Sequence, residues 1–139
     1  MVKITFSYPG ELRCEAVHTP SGVRLSTDAP VDNMGRGESF SPTDLVATAL
    51  GACMLTTMGI VAQRHGWDIR GSSAEVEKIM VSQPVRRIGE LTVVLRVAGD
   101  HDERARTTLE RAAHTCPVHK SLHPDVALPV RIEWLGKAL

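Results

Sequence analysis

A chain of 139 residues with 42% apolar and 23% charged side chains has the length and balance of one globular domain, 1–139, with a real core. Its formal net charge is zero and aromatics make up 4%, which argues against nucleic acid or an anionic membrane surface as a partner. The opening "MVKITFSYPG" has no basic segment followed by an apolar one, and three cysteines without an export signal suit a cytoplasmic setting in which any disulfide is transient.

The first third reads as strands. "KITFSY" leads into a turn signal at Pro9-Gly10, and "ELRCEAVH" alternates, with Leu12, Cys14 and Ala16 facing one way. Pro20-Ser21-Gly22 turns the chain into "VRLST". Residues 28–39, "DAPVDNMGRGES", form a loop with no packing of its own, long enough to be functional. A helix then starts sharply: Ser41 caps it, Pro42 suits its first position and Asp44 completes a capping box. It runs to about His65, where Gly66 can end it.

Residues 45–62 of that helix carry no charge and match the shortest membrane span in length. Three threonines, two glycines and several alanines, with no basic flank, make it instead the buried centre of a fold. Two strands follow, "IRGSSAEVEKIMVS" and "ELTVVLRVAG", joined by "QPVRRIG"; Leu91, Val93, Leu95 and Val97 share one face. A second helix covers about residues 102–115, with Ala105, Leu109 and Ala112 on one stripe that Cys116 continues. Pro117 breaks it and opens the short helix "PVHKSL", and "VALPVRIEWL" is the last strand. Strands, long helix, strands, helix and strand make an α+β fold.

Two cysteines stand out. Cys116 is placed as an N-cap, where free backbone N–H groups favour a thiolate. Cys53 lies three turns inside the apolar helix and would need a charged neighbour, an arginine being the natural one. Read locally, either is a small core residue or a reactive thiol. Cys116-x-x-His119, with His114 and His123 near, has zinc-ligand spacing but no second Cys/His pair. Cys14 reads as packing.

"FSPTDLVATALGACMLTTMGIVAQRHG" and "HTCPVHKSL", with "LRCEAVH" and "TDAPVDNMGRGE" before them in order, resemble the OsmC/Ohr family of osmotically inducible and organic hydroperoxide resistance proteins. The resemblance covers nearly the whole chain. It implies an OsmC-like fold: an intertwined homodimer whose central cysteine-bearing helices are wrapped by mainly antiparallel sheets. It also implies a thiol peroxidase in oxidative stress defence. Cys53 would reduce an alkyl or lipid hydroperoxide and become a sulfenic acid. Cys116 would resolve it as a disulfide, and a thiol reductant, in this family a lipoylated protein, would restore both. No cofactor is implied, because sulfur carries both electrons.

Family members also hold the reactive cysteine ionised with an arginine from an early strand, oriented by a glutamate that directly follows the helix-opening proline. Arg13 falls in the arginine's place, although an exposed strand residue would look the same. The glutamate's position is Thr43, and the carboxylate comes one residue later as Asp44. Glu38, on the glycine-flanked loop, is the favoured substitute, since Asp44 has a capping role. Thr43 also supports an alternative: an OsmC-like domain without efficient peroxidase activity, binding a small apolar ligand or sensing oxidants.

Overall fold

The computed structural model describes residues 1–136. These form two compact units that divide inside the long helix, the first ending at Val46 and the second beginning at Ala47.

In the first unit, β1 (Ile4–Gly10), β2 (Arg13–His18) and β3 (Arg24–Ser26) make an antiparallel sheet. The turn expected at Pro9-Gly10 sits one step later. A register shift between Ser7 and Gly10 absorbs Pro9, which has no N–H to give the ladder. Glu11 and Leu12 then turn at φ 58° and 59°. That left-handed region costs a non-glycine residue about 1–2 kcal/mol, so local propensity did not announce this turn. Leu12 is consequently a turn residue rather than part of the alternating strand. The Pro20–Gly22 turn is where the sequence puts it, with Gly22 at φ 74° and its N–H on the His18 carbonyl at 2.7 Å.

Residues 28–39 differ from the expected unpacked loop. The Asp28 N–H donates to the Phe40 carbonyl at 3.1 Å, so the two ends are tied together. A 3-10 turn, Val31–Asn33, lies between them. Gly35 comes so close to the Ala29 carbonyl that a Cβ there would collide with backbone. The organising group is Asp28, whose buried side chain accepts the Glu38 N–H at 3.0 Å.

The helix α1 (Pro42–His65) opens with the expected capping box. Ser41 Oγ accepts the Asp44 N–H at 3.1 Å, and Asp44 Oδ2 accepts the Ser41 N–H at 2.9 Å.

In the second unit α1 continues to Gly66 at φ 72°, where the Trp67 N–H closes on the Ala62 carbonyl at 2.9 Å. The strand expected from Ile69 begins only at Ser73. Arg70 folds back on Asp68, Gly71 takes φ 92°, and Ser72 Oγ donates to the Ile69 carbonyl at 2.6 Å, closing a turn instead. β4 (Ser73–Val81) pairs antiparallel with β5 (Arg87–Val97), and β6 (Val130–Trp134) pairs parallel with β5. A parallel neighbour needs a crossover, which α2 (Glu103–His114) and α3 (Pro117–Ser121) supply.

The core of this unit is the β5 row Leu91, Val93, Leu95 and Val97, fully buried with Leu50, Met54, Met58 and Leu109. Gly51 lets α1 approach β4: a Cβ there would sit 3.0 Å from Val76 Cγ2.

By length and composition alone α1 could cross a membrane. One stripe of it, Ala47, Leu50, Gly51, Met54, Met58 and Ala62, is buried in the chain, as a core helix requires. The sequence is apolar all round, but a single chain covers only that stripe, and Ile60 stays 47% exposed. The first unit repeats this: Ile4, Phe6 and Tyr8 of β1 and Leu25 of β3 are all exposed, Phe6 to 70%.

The cap predicts its own test. Ser41→Ala should lower stability by about 1 kcal/mol, seen as a lower urea midpoint at unchanged slope. An unchanged midpoint would mean that the cap contributes nothing.

Candidate functional site

All three cysteines are free thiols, with Cys53 half-buried and Cys116 fully buried. α2 stops at His114, and Pro117 takes the first position of α3. Cys116 is thereby fixed as the N-cap, and its Sγ accepts the His119 N–H at 3.3 Å. The Cys53 Sγ lies 4.0 Å from Thr57 Oγ1, and Cys116 and the Val118 backbone N–H are close enough to act on its acidity. The two cysteines, far apart in sequence, therefore meet at the start of α3.

Their acidities separate in the reverse order to the local reading. Burial pushes the Cys53 thiol up, but hydrogen bonds from Cys116, the Val118 backbone and Thr57 outweigh it, and the thiol ends below its ordinary value. Burial also pushes Cys116 up. Donating its proton toward Cys53 raises it further, and the cap bond from His119 does not compensate. The cap position supplies Cys116 with the His119 donor, as expected, while the Val118 backbone favours both thiolates. This also explains the Cys116-x-x-His119 spacing as cap geometry. Among the described residues no three His, Cys, Asp or Glu side chains gather to hold a metal.

The first unit holds the other anticipated residues. Arg13 Nη2 donates to Glu38 Oε2 at 2.8 Å. This bond is the main reason its guanidinium is held above its usual value. Asp44 is engaged at the helix cap with Ser41, and Thr43 Oγ1 lies 3.2 Å from Ser41 Oγ. Of the two carboxylates considered for the arginine, the one on the loop is thus bonded to it, and the one on the helix closes the cap.

A third carboxylate, Asp28, was missed. Its Oδ2 lies 3.5 Å from the same Nη2, and its side chain is only 1% exposed. The signal was available in the β2–β3 pairing. Glu15 faces Ser26, so continuing that register brings Arg13 opposite Asp28. The Thr27 N–H to Cys14 carbonyl bond, 2.9 Å, shows that the pairing continues that far. Cys14 is half-buried, and its N–H is bonded to Thr27 Oγ1 at 3.2 Å.

Elsewhere in the second unit, a groove of about 490 Å³ is lined by Leu55, Gly59, Ala62, Trp67, Ile69 and the Asp68–Arg70 pair, among others. His114 and His119 meet edge to face with ring centres 5.8 Å apart. Burial, with His114 and Lys120 nearby, holds His119 below its usual value.

Comparison with known proteins places this geometry. The model of the OsmC-like protein family matches residues 35–131. A solved structure from Psychrobacter arcticus, named for osmotic stress induction and a detoxification response, is 44% identical, with 96% of each chain covered and a TM-score of 0.90. An OsmC-like protein of Mycoplasma pneumoniae is 16% identical over 96% of each chain, with a TM-score of 0.81. The organic hydroperoxide resistance protein OhrB of Bacillus subtilis is 21% identical over 96% of this chain and 98% of that one, with a TM-score of 0.67. These last two are likenesses of fold. No curated protein matches. The family match over most of the chain, the close Psychrobacter relative and the meeting of two cysteines at the start of a short helix agree: the chain belongs to the OsmC-like protein family.

Proposed function

We propose that this protein reduces organic hydroperoxides to alcohols through Cys53, with Cys116 as the resolving thiol. The observation that carries the reading is the pairing of the two thiols at the start of α3, where Cys116 favours the Cys53 thiolate and is itself pushed up. A thiolate is the nucleophile in this chemistry. Cys53 sulfur attacks the terminal peroxide oxygen, the O–O bond breaks, and the alkoxide leaves as the alcohol after taking a proton. Cys53 becomes a sulfenic acid. Cys116 sulfur then attacks the Cys53 sulfur, its own proton leaves with the hydroxide as water, and a disulfide forms. An external dithiol returns the two electrons. We assign a lipoylated protein as that reductant and the cytoplasm as the setting, since thiols are kept reduced there.

By the family resemblance we assign Arg13, held by Glu38, the role of the family's arginine in peroxide reduction. The carboxylate that family peroxidases carry after the proline is absent at Thr43, and the loop supplies one from Glu38 instead. The apolar character around Cys53 suits an alkyl or lipid hydroperoxide, which gains by leaving water, whereas hydrogen peroxide gains little.

A second reading is an OsmC-like domain without efficient peroxide chemistry that binds a small apolar molecule. The groove beside Leu55 and Trp67 favours it.

We also infer a homodimer. The open side of α1 at Ile60 and the exposed Ile4, Phe6, Tyr8 and Leu25 are more apolar surface than a lone small protein leaves uncovered. A second copy would cover it, with an interface of roughly 2,000–5,000 Å².

Cys53→Ser should abolish consumption of cumene hydroperoxide with a dithiol reductant; a mutant at wild-type rate would show that Cys53 is not the nucleophile. Cys116→Ala removes the thiol donor, so the pH profile of Cys53 alkylation should move to higher pH. An unmoved profile would mean that Cys116 does not tune Cys53. Sedimentation at micromolar concentration should show a dimer, and a stable folded monomer would overturn that inference.

A further inference from the structure

Glu38 is one partner of Arg13. The geometry gives the arginine a second and more firmly fixed partner. Asp28 is a charged side chain with 1% exposure, while Glu38 is 55% exposed. A buried carboxylate is costly unless cations and donors surround it. Asp28 has two such groups at Oδ2: the Glu38 backbone N–H at 3.0 Å and Arg13 Nη2 at 3.5 Å. Its Oδ1 is buried with no hydrogen-bond partner. Buried polar atoms are rarely left so, and those that are call for an explanation.

Arginine supplies one. A guanidinium presents its N–H groups in a rigid fork that matches both oxygens of a carboxylate. One nitrogen of Arg13 already stands between Glu38 Oε2 and Asp28 Oδ2. The orphaned Oδ1 is the second prong against which the fork can settle. Asp28 is also tied in through its backbone N–H and its Oδ2. Its own N–H ties the loop shut at Phe40, and its carboxylate holds the backbone of Glu38, the residue that bonds Arg13 from outside. Glu38, by contrast, is drawn toward another cation as well, Arg36 at 4.0 Å.

We propose that Asp28 is a positioning residue, the fixed buried carboxylate that anchors Arg13 and, through its backbone bond, delivers Glu38 to the same guanidinium. Its consequence for peroxide reduction rests on the function proposed above; the anchoring itself does not. Asp28 touches no reacting atom and acts only through Arg13.

The test uses the full-length protein and nitrogen NMR of the Arg13 guanidinium, in which slow rotation of the terminal nitrogens reports a held fork. Asp28→Asn is the informative variant, because its amide oxygen can still accept the Glu38 N–H while the charge is gone. Rotation should quicken in Asp28→Asn, and hydroperoxide turnover should fall about ten- to a hundredfold with little change in KM, as expected for misplacement of a catalytic group. Rotation should stay slow in Glu38→Gln and become free in the double variant. Wild-type rotation in Asp28→Asn would overturn the proposal. Should Asp28→Asn fail to fold, Glu38→Gln decides alone: a held fork supports Asp28 as anchor, and a free one overturns it. If the wild-type protein consumes no hydroperoxide, the proposed function fails, and the rotation measurement still decides the anchoring.

Discussion

Two neighbouring thiols in unequal surroundings separate in acidity, Cys53 ending below the ordinary thiol value and Cys116 above it. Cys116 is fully buried, so its own ionisation is penalised, and Cys53 beside it pushes it further up. Cys53 gains what Cys116 loses. The rest of the second unit serves this contact. Three turns of α1 carry Cys53 to its place, and the break at Pro117 starts a new helix whose His119 N–H reaches the Cys116 sulfur. The fully buried β5 row gives a well-packed core on which such a meeting can be held.

The first unit solves a separate problem, how to keep a guanidinium in one place near a surface. A free arginine prefers water, and a single exposed ion pair is worth little. Here the arginine is met by one exposed and one buried carboxylate, and the buried one is part of the loop's own closure. The arrangement makes sense of Thr43. With the helix start occupied by a capping box between Ser41 and Asp44, the carboxylate for the arginine comes from the preceding loop. On the proposed reading this is a different supply of the same charge, not its loss.

What could be read from the sequence was what is decided over a few residues. The cap at Ser41 and Asp44, the stop at Gly66, the break at Pro117 and the alternation through Leu91, Val93, Leu95 and Val97 are local, and all stand in the structure. The features missed depend on pairing or on local rules being overridden. Leu12 sits at positive φ because the β1–β2 register demands a two-residue turn there. Asp28 looked like one more polar loop residue until the β2–β3 register set it opposite Arg13. The acidity of Cys53 and Cys116 came out reversed because it depends on a contact across the fold, which cap position alone does not reveal. Family resemblance had paired the two cysteines; their spacing alone had not.

The central claim is that these two thiols form a redox couple, and the most direct measurement is intact mass after one equivalent of cumene hydroperoxide without reductant. The account predicts a loss of two hydrogens within minutes, with peptide mapping placing the new disulfide between Cys53 and Cys116. An unchanged mass, or a disulfide that involves Cys14 instead, would contradict it.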